Sequence, residues 1–327
     1  MAKVLVLGSA GYIGGSVCSQ LLQEGNNVTG IDSLINSKID SSLKLEANYP
    51  NNFQFIKADL VTEIEKILSK IENEEFDVII HFAALKSVEE SQSNPEIYWK
   101  NNVISTLNVL DLMAKKSIKK IIYSSSATVY GEKVQSPILE TEKFDSISCY
   151  GSTKIANELL LSDYANSGKI DALSLRYFNP GGVLENNIFK DHIDGPNIFP
   201  KLVKSSIASQ SFKIFGTDYP TRDGTPERDY IHIKDLVSGH ISAINFISSF
   251  EGYESVNLGT GKSTSILELV NAFEKGNNIK IDAQHAARRP GDIAVCYANA
   301  DKAKKTLGWT AKYNVNDICD NLLEFYK

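Results

Sequence analysis

A tyrosine and a lysine, Tyr150 and Lys154, stand four positions apart in the stretch SCYGSTKIANELL, at the start of a segment that reads as a helix. On a helix that spacing stacks both side chains on one face about one turn apart, so an ammonium can lie close to a phenol. Such a pair can move a proton. It can equally be ordinary helix surface, and taken alone the surface reading is the commoner one. Other residues change that balance. GSAGYIGG spaces Gly8, Gly11 and Gly14 three apart, after the apolar run KVLVL and before the amphipathic SVCSQLLQEG. Glycines at such a turn let the backbone approach a pyrophosphate, and a helix N-terminus offers it free N–H groups. Asp32 then ends the next apolar run, where a carboxylate can accept hydrogen bonds from a ribose diol and would repel the extra phosphate of NADP. The cofactor that this combination favours is NAD. Ser124, Ser125 and Ser126 close a later apolar run, where hydroxyls would face a ligand at a strand's carboxyl end.

These residues need a scaffold, and the chain supplies one. KVLVLG, NNVTGID, FQFIKAD, FDVIIHFA, KKIIYSSS and IDALSLRYF are six short, near-continuously apolar runs, as expected of strands covered on both faces. Between them lie segments of helical period, for example Val103, Leu107, Leu110 and Ala114. The alternation predicts an α/β fold with a doubly wound parallel sheet. After Arg176 the chain becomes rich in Gly, Pro and Asn, in FNPGGVLENNIFKDHIDGPNIFP, which reads as a long loop leaving the sheet. A second, smaller lobe is expected from about residue 179, with part of 230–258 packing back on the first.

The 327 residues are 42% apolar and 23% charged, the balance of a globular protein, and the formal net charge is −6. That charge offers no general attraction to nucleic acid or an anionic membrane, so a phosphate-bearing ligand needs a local site. Cys18, Cys149, Cys296 and Cys319 form no close pair, which suits free thiols in a reducing compartment. The five histidines have no metal-ligand spacing. The apolar run at the N-terminus is too short for a signal peptide and no run approaches a membrane span, so the expected location is cytoplasmic.

The motifs GSAGYIGG, HFAALKSVEES, NNVISTLNVL, SSSATVYG, YGSTK, RYFNP, DYPTRDGTPERDYIHIKDL, NLGTG and RRPGD run in order over nearly the whole chain. In this series the chain resembles the extended short-chain dehydrogenase/reductase family and, within it, the UDP-galactose (UDP-glucose) 4-epimerases. The resemblance implies an NAD-binding Rossmann domain over 1–178 and a UDP-sugar-binding lobe over 179–327. It implies that Tyr150 removes the proton from the sugar's 4-hydroxyl, with its anion stabilised by Lys154 and the nicotinamide, while Ser126 hydrogen-bonds the reacting oxygen. Cofactor contacts carry over to Gly8, Gly11, Tyr12, Ile13, Gly14, Asp32, Asn36, Ser37, Asp59, Leu60, Phe82, Ala83, Ala84, Lys86, Asn101, Ser124, Tyr150, Lys154 and Phe178. UDP-sugar contacts carry over to Lys86, Ser126, Tyr150, Asn179, Asn197, Ile198, Phe215, Arg228, Arg289, Asp292 and Cys296. The chain departs from the family at Pro196, where members commonly carry a second asparagine.

Two rival readings remain. A sugar-nucleotide dehydratase of the same superfamily usually places an acidic pair after the active-site Ser or Thr, whereas Ala127 and Thr128 follow here. A non-catalytic NAD sensor would have no need of both Tyr150 and Lys154. By resemblance, the helices near residues 101–114 and 150–164 pair with their copies in a homodimer, with Leu107, Leu110, Leu159 and Leu160 as candidate contacts. Cys296 falls where the family sets the room around the sugar's second carbon. A residue this small there implies acceptance of N-acetylhexosamines.

Overall fold

The computed structural model describes residues 1–184, 189–289 and 292–326. Its first half runs β1 (Lys3–Leu7), α1 (Tyr12–Gln23), β2 (Asn27–Asp32), α2 (Asp40–Asn48), β3 (Phe53–Lys57), α3 (Ile64–Lys70), β4 (Val78–His81), α4 (Val88–Ser93), α5 (Pro95–Trp99), a π-helical turn Lys100–Ile104, α6 (Ser105–Lys116), β5 (Lys120–Ser126), α7 (Cys149–Asn166) and β6 (Asp171–Tyr177). The second half holds β7 (Asn179–Gly181), α8 (Ile198–Ile207), β8 (Phe212–Phe215), β9 (Glu227–Arg228), β10 (Tyr230–His232), α9 (Ile233–Ile247), β11 (Tyr253–Leu258), β12 (Thr264–Ser265), α10 (Ile266–Asn277), β13 (Ala283–Ala286), β14 (Val295–Cys296), α11 (Asp301–Leu307) and α12 (Val315–Cys319).

All six apolar runs form strands of one parallel sheet, whose order is β11-β6-β5-β4-β1-β2-β3. Val4, Val6, Ile80, Ile122 and Leu173 pack on one face with α1 and α9, while Leu5, Leu7, Ile79, Ile121 and Ala172 pack on the other with α6 and α7. Burial on both faces is the reason the central strands are apolar without alternation, while β3 at the sheet edge exposes Gln54 and Lys57. The chain reverses its winding between β1 and β4, the crevice where open parallel sheets bind ligands. The seventh strand, β11, comes from beyond residue 179. The sequence offered six strands because YESVNL alternates with polar residues and lacks their continuous apolar character.

The Gly- and Pro-rich stretch after Arg176 is not loop throughout. Asn179–Gly181 pairs in parallel with β10, drawn there by the backbone and side-chain N–H groups of Asn179, which both donate to the Asp229 carbonyl at 3.0 and 3.1 Å. A separate apolar cluster of Phe199, Leu202, Phe212, Tyr230, Leu269, Phe273, Ile318 and Leu322 holds α8, α10 and α12 together. Among the described residues no helix is long and apolar enough to cross a membrane.

Candidate active site

Because the strands are parallel, the turns after β1, β2, β4, β5 and β6 open on one edge of the sheet. Gly8 leaves β1 with φ of +84°, and a β-carbon there would meet the Ala83 amide nitrogen at 2.7 Å. A β-carbon on Gly14 would overlap the Gly8 carbonyl oxygen. These two glycines let α1 begin hard against the sheet. Gly11 caps α1 without a side-chain hydrogen bond, so the N–H groups of its first turn remain for a ligand. Asp32 ends β2 and its carboxylate accepts from Ala10 N at 3.0 Å, Leu34 N at 2.8 Å and Ser37 Oγ at 2.8 Å. It thereby ties the glycine-rich turn to the next loop.

Phe82, Ala83 and Ala84 follow β4, and the Phe82 ring packs 5.0 Å from the buried His240 ring. Asp59 and Leu60 follow β3, with Asp59 accepting from Val61 N at 2.8 Å. Tyr12 reaches across from α1 and donates to the Gly182 carbonyl at 2.6 Å. Ile13 is half-buried against the core, Phe178 is buried directly after β6, and Asn36 is exposed.

The catalytic candidates come together where β5 meets α7. Ser148 caps α7 by accepting from Gly151 N at 3.0 Å, which fixes the helix start two residues before Tyr150. The Ser126 hydroxyl accepts from Thr128 N at 3.2 Å and from Thr128 Oγ1 at 3.1 Å, and it stands near the Tyr150 phenol. Lys154, 2% exposed, donates from Nζ to the Ser124 carbonyl at 2.6 Å. Its Nζ lies 4.8 Å from the Tyr123 ring centroid and 5.7 Å from that of Tyr150.

Tyr150 is half-buried as a residue, yet protein closes densely around its phenol. Burial pushes that phenol up to about 12, opposed by the nearby Ser126 hydroxyl. Burial likewise pulls the Lys154 ammonium down to about 7, opposed by the charge of Glu158. The protein alone therefore does not lower the tyrosine: desolvation exceeds the help it receives, and further positive charge is required to ionise it at neutral pH.

The UDP-sugar candidates gather on a second cluster. The Arg228 guanidinium donates to Asp292 Oδ1 at 2.9 Å and Arg289 pairs with Asp292 Oδ2 at 2.9 Å, so one carboxylate aligns two cations. Arg289 also lies over the Phe215 ring, 4.8 Å from its centroid. Asn197 caps α8 just before Ile198, and its amide donates to Asp191 Oδ2 at 2.5 Å. Asp191 accepts from Lys86 Nζ at 2.9 Å as well, joining a cofactor candidate to a substrate candidate. Cys296 on β14 packs against the cluster of Val129, Tyr130, Ile138, Phe178 and Ala298, which brings it near the turn after β5, and burial pushes its thiol up to about 11. Asn101 makes none of these side-chain contacts among the described residues. Residues 290 and 291, inside RRPGD, lie outside them.

Three residues escaped the sequence reading. Asp191 is one. Asn102 is another: buried in the π-helical turn, it accepts from Leu85 N at 2.8 Å and donates to Leu85 O at 3.0 Å and Thr153 Oγ1 at 3.1 Å. That bracket fastens the loop after β4 to α7, and the Asn-Asn pair was its only signal. Glu158 is the third and lies one turn beyond Lys154.

The model of the GDP-mannose 4,6 dehydratase family matches residues 5–322. The UDP-glucose 4-epimerase of Pisum sativum is 41% identical over 329 residues, spanning 97% of this chain and 93% of that protein. The UDP-glucose 4-epimerase of Bacillus subtilis is 38% identical over 97% of this chain and 94% of its own. The chain belongs to the UDP-glucose 4-epimerase family. Solved members of the family share its architecture. The Stenotrophomonas maltophila enzyme, bound to NAD and formylated UDP-arabinopyranose, superposes with a TM-score of 0.94 at 36% identity, covering 99% of this chain and 98% of that one. The Bifidobacterium longum epimerase, in complex with NAD+ and UDP, gives 0.91 at 38% identity over 99% and 97%. The fold is thus the Rossmann-type fold of the extended short-chain dehydrogenases/reductases.

Proposed function

We propose that this epimerase-family chain inverts carbon 4 of UDP-galactose and UDP-glucose through a transient 4-keto sugar, with NAD as resident cofactor. The observation that carries the reading is the convergence of Ser126, Tyr150 and Lys154 beside the glycine-rich turn. The residues present fit NAD: Gly8 and Gly14 let α1 begin hard against the sheet, a β-carbon on Gly11 would project into the space at that turn and meet only the Gly8 carbonyl oxygen, at 3.4 Å, the first turn of α1 is uncapped, and Asp32 stands at the end of β2. When bound, NAD supplies the two-electron oxidant and reductant for carbon 4. The Tyr150 oxygen takes the 4-hydroxyl proton and later returns it, and Ser126 holds the reacting oxygen in line. Because burial raises the Tyr150 phenol, its ionisation depends on the Lys154 ammonium and on the cationic nicotinamide ring. Arg228 and Arg289, aligned by Asp292, offer forked donors to the diphosphate.

Among the described residues, the 3-10 turn after Ser126 carries Ala127 and Thr128 and no carboxylate. Expulsion of water, which a dehydratase needs, therefore lacks its acid there. The reading extends to N-acetylated UDP-hexosamines, since a cysteine at 296 leaves space near the sugar. It also includes a homodimer, and a cytoplasmic location that four free thiols suit.

The test is to mix purified protein with UDP-galactose, adding no cofactor, and to look for UDP-glucose. Turnover, with nicotinamide nucleotide released on denaturation, is the expected result. No released nucleotide and no turnover after NAD is added would overturn the reading.

A further inference from the structure

Under the catalytic pair lies a buried charge that the chemistry above does not use. Tyr150, Lys154 and Glu158 follow one another at four-residue spacing along α7, a single stripe on the helix. Three consecutive residues at the end of β5 meet that stripe. The Ser126 hydroxyl stands near Tyr150, the Ser124 carbonyl accepts from Lys154, and the Ser125 hydroxyl donates to Glu158 Oε1. The Glu158 side chain is 1% exposed and is saturated with donors from two further strands. Arg176 on β6 donates from Nε at 3.0 Å and from Nη2 at 2.6 Å, and Tyr253 on β11 donates at 2.8 Å. Arg176 is itself fixed, donating to Tyr130 and to the Glu140 carbonyl and lying between the Tyr130 and Phe144 rings.

A carboxylate so deeply buried costs desolvation that paired donors offset but seldom exceed. Fastening helix to sheet could be done by an uncharged residue. A charge at this spot acts additionally on the cation one turn away. We propose that Glu158, clamped by Arg176, is a positioning residue that keeps Lys154 an ammonium and sets its Nζ against the end of β5.

The groups around Lys154 leave that task to Glu158. From β4 comes His81, which burial holds down to about 3 and thus neutral. From β5 comes Tyr123, and from β6 and β11 come Tyr177 and Tyr253, whose phenols burial pushes up, keeping them neutral. Arg176 faces Glu158 and Tyr130, and Tyr150 is the partner in the reaction. Glu158 is the charge that opposes the loss of the Lys154 proton.

The proposal rests on the epimerase reading for its consequence and is tested separately from it. In Glu158→Gln a negative charge is lost near an ammonium. Lys154 then releases its proton at lower pH, and the alkaline limb of the kcat profile for UDP-galactose moves down by about 1 pH unit. Ser125→Ala removes a hydrogen bond but no charge and leaves the limb in place. Should Glu158→Gln fail to fold with Arg176 unpaired, Glu158→Gln/Arg176→Met removes both buried charges; the limb then falls by less than expected of the single variant, because the Arg176 cation that opposed Glu158 is lost with it.

A readout without turnover is carbon-13 NMR of lysine Cε in the cofactor-free protein, with the Lys154 signal assigned by its loss in Lys154→Met. Its midpoint is expected near the value of about 7 in the parent and lower in the Glu158 variants. Reduced activity with an unmoved limb and midpoint, an equal shift in Ser125→Ala, or failure of both Glu158 variants to fold would each overturn the proposal. A parent inert toward UDP-galactose would instead overturn the epimerase reading, while the NMR titration still decides the role of Glu158.

Discussion

Tyr150 and Cys296 carry the sharpest tests at the scale of the residue. Tyr150→Phe keeps the ring and removes the proton acceptor, so turnover of UDP-galactose should fall on the order of 100- to 10,000-fold while UDP-sugar binding persists. A variant within tenfold of the parent in steady-state assays would remove Tyr150 from the reaction. Cys296 packs against the cluster of Val129, Tyr130, Ile138, Phe178 and Ala298; on the proposed reading, a tyrosine there would take volume that a substituent on the sugar's second carbon needs. Overpacking typically costs about 1 to 3 kcal/mol, roughly 5- to 150-fold in rate. Cys296→Tyr should suppress interconversion of UDP-GlcNAc and UDP-GalNAc by that factor and spare UDP-galactose. Equal loss on both sugars in a competition assay would refute selectivity at this position. Tyr150 and Lys154 were legible because the glycine-rich turn, Asp32 and the ordered motifs around them outweigh a spacing that alone suits ordinary helix surface. Glu158 was not: a carboxylate one turn further on looks like solvated surface until Arg176, remote in sequence, is found against it.

Among the elements, the sequence disclosed best those whose composition follows from burial. Strands β1, β2 and β4 to β6 are largely buried because helices cover both faces, whereas β3, at the sheet edge, exposes Gln54 and Lys57. The π-helical turn Lys100–Ile104 had no such signature, since its existence follows from how Asn102 reaches Leu85 and Thr153. The helical face expected to pair in a dimer is more mixed than anticipated. Leu110 lies in the core and Leu160 packs against it, because both point to the sheet. Leu107 and Leu159 are 40% and 53% exposed, and Trp99 and Ile104 are exposed on the neighbouring α5 and π turn, against which α7 packs. Isolated exposed apolar residues are ordinary, but a cluster of them marks a contact surface. A stable two-fold contact buries about 800 Å² per partner, within reach of two helices. Leu107→Glu/Leu159→Glu should halve the mass of the parent in analytical ultracentrifugation at micromolar concentration without loss of helical circular dichroism. A parent that sediments as a monomer would dismiss the dimer.

The whole molecule is joined at β11. This strand pairs with β6 over six residues, from Tyr253 opposite Ala172 to Leu258 opposite Tyr177, and its Tyr253 completes the shell of Glu158. The face of the sheet that carries Val4, Val6 and Ile80 is covered by Ile233, Leu236, Val237, Ala243 and Ile247 of α9, with Leu307 and Trp309 beyond. Trp309 donates to the Asp235 carbonyl at 3.1 Å, and Asp235 accepts from Lys312 N and Tyr313 N. Residues 1–178 thus contain the glycine-rich turn, Ser126, Tyr150 and Lys154, yet lack the strand and helix that close their own core. Removing α9 would strip its apolar side chains from the sheet face, and each buried aliphatic side chain contributes about 1.5 to 3 kcal/mol. Several such losses together equal the whole stability of an ordinary domain, about 5 to 15 kcal/mol. A fragment ending at Phe178 should therefore fail to form a cooperatively folded unit, despite holding every motif of a dinucleotide-binding domain. In urea the full chain should lose near-ultraviolet circular dichroism and β-sheet signal together, whereas the fragment should show no sharp transition. A soluble 1–178 fragment that unfolds cooperatively would show instead that the first half closes its core unaided.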